Sequence, residues 1–218
     1  MNLDLTEEQE MLRTSARDFL TKECPKTLVR KLEEDEKGYS SELWSKMADL
    51  GWMGLVYPEK YGGSGLTFVD FTTLLEEMGK ALVPGPFLST VLCGLAILKW
   101  GTEAQKKDIL PGIAKGDAIL SLALTEKDAT YDAAGIKVKA VAEGNDFVIN
   151  GTKLFVADAH VADYLLCVTR TKAGRNKQEG ITLFLVDARS PGVSCTLLKT
   201  FTGDKKCEVV FKNVRVPK

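Results

Sequence analysis

The hydrophobic period of this 218-residue chain changes near Gly116-Asp117. Before that point apolar residues recur every three to four positions, as on the buried faces of helices. After it they alternate in short runs, as on strands. A chain with that order cannot interleave helices and strands into a βαβ sheet, so it builds an all-α part first and a β part second. The expected class is α+β: an N-terminal helical domain over residues 1–117, then an antiparallel β-barrel-like or orthogonal-sheet domain over residues 118–218.

The helical half is marked by its stop and start signals. Thr6-Glu7-Glu8-Gln9 and Thr102-Glu103-Ala104-Gln105 both fit capping boxes, in which the threonine hydroxyl accepts from the N3 amide and the glutamine reaches back. After the first, Leu12, Ala16, Phe19 and Leu20 share one helical face. Leu28 to Glu36 reads as a second, charged helix. Ser41 is the expected cap of a third, with Leu43, Trp44, Met47 and Leu50 inward and Gly51 ending it. Pro58-Glu59-Lys60-Tyr61-Gly62-Gly63-Ser64-Gly65 reads as a loop. Thr67 opens a fourth helix with Asp70 in its first turn and Phe71, Leu74, Leu75 and Met78 at core spacing. Phe87 to Trp100 is nearly all apolar or small, so that helix is expected to be buried on most sides.

Strands are expected at Ala118–Leu124, Ile136–Val141, Phe147–Ile149, Lys153–Val156, Tyr164–Thr169, Thr182–Val186, Val193–Leu198 and Cys207–Val214. Turns are expected at Glu143-Gly144-Asn145-Asp146 and at Ile149-Asn150-Gly151. Arg170 to Glu179 is polar and reads as a mobile loop.

Composition narrows the function. With 29 basic and 30 acidic side chains the chain has neither a basic face for nucleic acid nor a polybasic run for a membrane. No apolar run reaches the roughly 18 residues of a membrane span. The start, MNLDLTEEQEM, has neither a basic-then-apolar signal nor an Arg-rich transit character, so a cytoplasmic chain is expected. The five cysteines are scattered and include no CxxC pair, which argues against a disulfide framework or zinc site. Cys93 and Cys167 sit in apolar surroundings as small core residues. A single histidine, His160, cannot make a histidine-based metal site alone, and no metal is expected.

Gly62-Gly63-Ser64-Gly65 lacks the Lys-Ser/Thr ending of a phosphate loop and reads as a tight turn. The run Glu33-Glu34-Asp35-Glu36-Lys37 reads as a solvated face. Leu122, Leu124, Thr125 and Phe155 differ in kind. A flavin ring requires flat apolar contacts plus a few donors along its N1, O2, O4 and N5 edge. A strand ending Leu-Ala-Leu-Thr offers alternate apolar side chains, amides and a hydroxyl, and Phe155 on a second strand end offers an aromatic wall. On pattern alone these four read equally as ordinary sheet-core residues, the more common case.

Five ordered motifs go further: PEKYGGSG, GTEAQKKDIL, LALTE followed by AGIKVKA, INGTKLFVAD, and the closing VVFKNVRVP. With these, over essentially its whole length, the chain resembles the acyl-CoA dehydrogenase family. The resemblance implies an N-terminal helical domain and a middle β-domain, with the family's C-terminal four-helix domain missing after Lys218. It implies FAD as cofactor, with Leu122, Leu124 and Thr125 against the flavin. Phe155 stands where the family has a shielding tryptophan, and Val156 and Ala157 match the rest of that turn. Tyr131 replaces a serine near the thioester, and Ala157 replaces a threonine whose hydroxyl approaches flavin N5. Phe87, Thr90 and Val91 stand on the helix that lines the family's acyl cavity.

The implied reaction is α,β-dehydrogenation of an acyl-CoA thioester, with electrons passed to an electron-transferring flavoprotein by a homo- or hetero-tetramer. The family's catalytic glutamate belongs to the C-terminal domain. No residue here matches it, and Glu126 belongs to the TE motif. The 218-residue chain alone is therefore expected to be inactive. Two further readings share the scaffold: a non-catalytic subunit that pairs with an active partner, and a related flavin oxidase or monooxygenase.

Overall fold

A computed structural model describes residues 4–172 and 176–218. The expected loop from Arg170 to Glu179 therefore falls partly outside the described residues. Among the described residues six α-helices come first: α1 (Glu7–Glu23), α2 (Lys26–Glu34), α3 (Ser41–Asp49), α4 (Phe68–Ala81), α5 (Phe87–Trp100) and α6 (Glu103–Ala114). Seven strands follow: β1 (Leu120–Ala123), β2 (Lys139–Glu143), β3 (Asp146–Ala157), β4 (Tyr164–Arg170), β5 (Ile181–Asp187), β6 (Val193–Leu198) and β7 (Lys206–Pro217). The chain divides into two compact units. One comprises Met1–Gly85 and Leu95–Asp117; the other comprises Pro86–Gly94 and Ala118–Lys218.

In the helical unit, both expected capping boxes form, and Thr67 with Asp70 makes a third. Each satisfies two of the amides that a helix start leaves unpaired. The cap of α3 is Ser40, not Ser41: the Ser40 hydroxyl accepts from Leu43 N at 3.2 Å. The chain is still extended at Ser40, so the neighbouring serine one position earlier has the reach to N3. Leu43, Trp44 and Met47 are buried as expected, but Leu50, the residue that ends α3, is 48% exposed. Helical spacing ceases there because Gly51 turns left-handed (φ 75°).

The core of this unit gathers Leu20, Trp44, Trp52, Met53, Tyr57, Tyr61, Phe71, Leu74, Leu110 and Ile113. The glycine loop is part of that packing and contains one 3-10 turn, Glu59–Tyr61. A Cβ on Gly63 would lie 2.0 Å from the Tyr57 carbonyl oxygen, so close approach of two backbone segments requires the glycine. The charge run over residues 33–37 is exposed as expected.

In the strand unit, the sheet runs β1-β4-β2-β3-β7-β6, with β5 on the other edge of β4. One buried cluster draws from β1, β2, β3, β4, β5 and β7, and Val193 of β6 packs against it. Strands so far apart in the order share a core only when the sheet curls. The two ends of the path, β1 and β6, do not pair, so the result is a half-barrel. The sheet is mixed rather than purely antiparallel, because β1 and β2 both run parallel to β4. Parallel neighbours require a long crossover, and here the stretch between β1 and β4 holds the whole β2–β3 hairpin.

The expected turn at Ile149-Asn150-Gly151 is not a turn. β3 continues through it and pairs with β7 from Asp146↔Pro217 to Ala157↔Lys206, with irregularities between Ile149 and Gly151 and between Lys153 and Val156. Asn150 Oδ1 accepts from Asn213 N at 2.8 Å across the irregularity. Gly151 is there for space: its Cβ would meet Val138 Cγ2 at 2.6 Å. Bulged pairing satisfies more backbone than a hairpin would, because β7 is long enough to match all of β3.

Candidate functional site

β1 is anchored by the side chain of Thr90 and by one of its own, Ser121. Thr90 on the first half of α5 is fully buried, and its hydroxyl pairs with the Leu120 backbone, accepting from N at 3.1 Å and donating to O at 3.2 Å. Ser121 Oγ donates to the Ala157 carbonyl, tying β1 to the end of β3. The Thr125 carbonyl accepts from Leu154 N at 2.8 Å. These contacts bring the two strand ends side by side, Leu122 to Thr125 and Phe155 to Ala157.

The pair of ends is held from below by an ion pair. Lys153 has no exposed surface, and Glu126 is 8% exposed. Lys153 Nζ donates to Glu126 Oε1 at 2.7 Å and to the Leu124 carbonyl at 3.0 Å. Glu126 also accepts from the backbone N–H groups of Lys137 (2.9 Å) and Val138 (3.1 Å). Every oxygen of this carboxylate therefore faces a donor, which is the condition for keeping a charge buried. Sequence reasoning missed Lys153. Its signal was parity: Ile149, Gly151 and Lys153 alternate along β3, and Ile149 is fully buried.

Above the ion pair the strand ends present an unusual surface. Leu122 is 40% and Phe155 54% exposed, although both are large and apolar. Phe155 sits in the second bulge of β3 with φ 54°. That left-handed backbone costs a non-glycine residue about 1–2 kcal/mol, and it turns the ring away from the core cluster. Val156 next to it is 1% exposed and belongs to that cluster, so only its backbone faces the bed. At the end of the same segment, the Thr125 hydroxyl and N–H make no hydrogen bond among the described residues. Two apolar walls and an uncommitted donor pair suit a flat ligand with acceptors along one edge.

The remaining candidates divide. Phe87 and Val91 are buried with Thr90, whereas Leu88 and Leu92 on the same helix are 47% and 44% exposed. The helix is thus not buried on most sides: it has an open apolar stripe at i, i+4 spacing. Tyr131 is 81% exposed. Two surface hollows lie beside α1, one lined by Met11, Phe19 and Leu50 among others, the other by Arg17, Cys24 and Lys80. Neither includes a strand-end residue. Among the described residues no group of three or more His, Cys, Asp or Glu side chains is placed to hold a metal.

The sequence matches the acyl-CoA dehydrogenase N-terminal domain over residues 6–117 and the middle domain over residues 121–214. The chain belongs to the acyl-CoA dehydrogenase family. A probable acyl-CoA dehydrogenase, YngJ of Bacillus subtilis, is 33% identical over 223 residues, covering 100% of this chain and 58% of the relative. The chain thus spans little more than half the length of that acyl-CoA dehydrogenase. Among solved structures, the ChsE4-ChsE5 complex from Mycobacterium tuberculosis superposes with a TM-score of 0.84 at 31% identity, over 100% of this chain and 56% of that one. A glutaryl-CoA dehydrogenase from Mycobacterium smegmatis, solved in complex with FADH2, gives 0.83 at 25% identity over 98% and 54%. No helix among the described residues is long and apolar enough to cross a membrane.

Proposed function

We propose that this chain carries the flavin-facing part of an FAD-dependent acyl-CoA dehydrogenase. The observation that carries the reading is the Thr125 hydroxyl and N–H, left without partners among the described residues on strand ends that also expose Leu122 and Phe155. The donor set fits an isoalloxazine, whose edge is lined with acceptors and whose faces are apolar. Leu122, Leu124 and Phe155 hold the ring by contact and Thr125 donates to its edge, while Val156 and Ala157 contribute backbone. When bound, FAD supplies the acceptor for the β-hydrogen that leaves the acyl chain as hydride.

The chain's own residues bind and orient. Phe155 excludes water from one side of the bed. The Lys153–Glu126 pair fixes the Leu124 carbonyl, and with it the direction of the Thr125 N–H. Glu126 is no base for the α-proton: its oxygens are all occupied by Lys153 and two amides, beneath the bed. We assign no catalytic residue in these 218 residues. Substrate contacts fall to Tyr131 and to the α5 segment of Phe87, Thr90 and Val91. The acyl-CoA substrate, the electron-transferring flavoprotein and assembly into a homo- or hetero-tetramer belong to this reading of the whole enzyme.

A second reading, a non-catalytic subunit in a mixed assembly, is favoured by Ala157, which has no hydroxyl to offer. Its carbonyl is taken by Ser121.

Titration of FAD with the chain, followed by quenching of flavin fluorescence, tests the proposal. Thr125→Ala should weaken binding about 3- to 10-fold, the net effect of losing one hydrogen bond of about 1 kcal/mol. Equal affinity of the wild type and T125A for FAD would sink the assignment.

A further inference from the structure

Cys195 and Cys207 lie on neighbouring strands and on one face of the sheet. In the β6–β7 register Cys195 faces Val209 and Leu197 faces Cys207, so the cysteines are diagonal neighbours. Side chains two positions apart on a strand share a face, which puts both thiols on the face of Val209. The register thus sets Cys195 beside Cys207 on that face. Cys207 is fully buried and Cys195 is exposed. On the other side of Cys207, His160 Nδ1 lies 3.7 Å from Sγ. Nothing in the proposed flavin chemistry draws on these three side chains.

We propose that Cys195 and Cys207 form a reversible redox pair that low-molecular-weight disulfides oxidise to a cross-strand bridge, with Cys195 as the entry thiol and Cys207 as the resolving one. The division of roles follows from exposure: a reagent in solution reaches Cys195, and Cys207 reaches only Cys195. It follows also from charge. Its neighbour Cys195, and then His160, hold the Cys207 thiol below the usual thiol range, while Cys207 raises Cys195. The two thiols titrate as a pair, and within it Cys207 is the one that accepts the proton when Cys195 attacks. Asp158, Asp204 and Lys206 complete the charged surroundings; burial pushes the Asp158 carboxyl up to about 6.

The chemistry balances. Cys195 sulfur attacks one sulfur of the reagent as its proton passes to Cys207; the reagent's S–S bond breaks and one half leaves as thiolate. Cys195 now carries a mixed disulfide. Cys207, its proton lost to His160 or to the departed thiolate, attacks Cys195 sulfur, and the second half leaves. The two cysteines together lose two electrons, and the reagent is reduced to two thiol equivalents sharing the one proton. None of the other three cysteines can substitute: Cys24, Cys93 and Cys167 are buried, and burial raises each of their thiols.

Geometry sets the character of the bridge. Diagonal neighbours lie about 7–8 Å apart between Cα atoms, beyond the roughly 7 Å that a disulfide spans without backbone movement. β6 is an end strand of the sheet path, paired to β7 alone, so it can move to close the gap. A bridge closed under strain is readily reduced, the behaviour of a switch rather than of a structural staple.

The test is incubation of the chain with glutathione disulfide, then intact-mass analysis and peptide mapping without reduction. The wild type should gain a Cys195–Cys207 linked peptide, accumulate little glutathione adduct, and return to free thiols with reduced glutathione. Cys207→Ser should stop at an adduct on Cys195 that persists at least about tenfold longer, because the intramolecular resolving thiol is gone. The proposal is overturned if the wild type itself keeps a stable adduct on Cys195, or if Cys195 links to Cys24, Cys93 or Cys167 instead. Because the wild type alone decides between these outcomes, a folding defect in the variant does not blur the result.

Discussion

Lys153 shows what a single residue does in this fold. A fully buried ammonium is tolerable because Glu126 and the Leu124 carbonyl surround it. Lys153→Met should cost about 3–5 kcal/mol in chemical denaturation, since it strands the Glu126 charge. Adding Glu126→Gln should recover more than half of that loss. The amide oxygen still accepts from Lys137 N and Val138 N, and no charge remains buried; failure to recover would show that the pair matters by packing alone. Phe155 makes the opposite case. Its ring is largely exposed and its backbone is left-handed, so Phe155→Gly removes little burial and relieves the strain. Stability should stay within about 1 kcal/mol of the wild type, while flavin binding falls. A large drop in thermal midpoint would mean that the ring is structural.

At the scale of elements, α1 and α4 are joined by charged side chains as well as by apolar faces. Arg17 holds Glu77 with two hydrogen bonds of 2.9 and 3.0 Å, and Lys80 adds a third contact at 2.9 Å. Arg17 first, then Lys80 against the opposing effect of burial, takes the Glu77 carboxyl from 4.5 to about 2. The folded chain therefore binds fewer protons here than the unfolded one. The stabilisation is complete above about 4.5 and is lost as pH falls towards 2. Urea midpoints measured from pH 6 down to pH 3 should fall across this window, and Glu77→Gln should flatten that fall. An unchanged slope in E77Q would assign acid sensitivity to other carboxylates. The helix starts were legible because a capping box is a local bargain between residues three apart. The bulges of β3 were not: Asn150-Gly151 has the composition of a turn, and only the length of β7 decides that the strand continues.

For the whole molecule, the bed supplies contacts and donors but no free carboxylate. We expect no steady dehydrogenation of an acyl-CoA by the 218-residue chain with FAD and an artificial electron acceptor. Measured turnover would show that a base lies among these residues after all. The long relatives and the mixed assembly of the ChsE4-ChsE5 complex make addition of a second acyl-CoA dehydrogenase-like chain the natural companion experiment.

What the amino-acid order determined by itself was local or cumulative. It set the helix starts that carry capping boxes, the change of period at Gly116-Asp117, and the five ordered motifs that mark the family. These rest on spacings of a few residues or on many weak signals in sequence. The tertiary structure alone decided which of the marked residues face outward. Leu122, Val156 and Phe155 are all apolar and all at strand ends, yet Val156 enters the core while the other two stay exposed. The reason is the bulge at Lys153/Val156, which shifts the alternation of β3 and places a phenylalanine at positive φ. A strand's parity can be counted along the chain, but a slip in that parity is fixed only by the partner strand it pairs with.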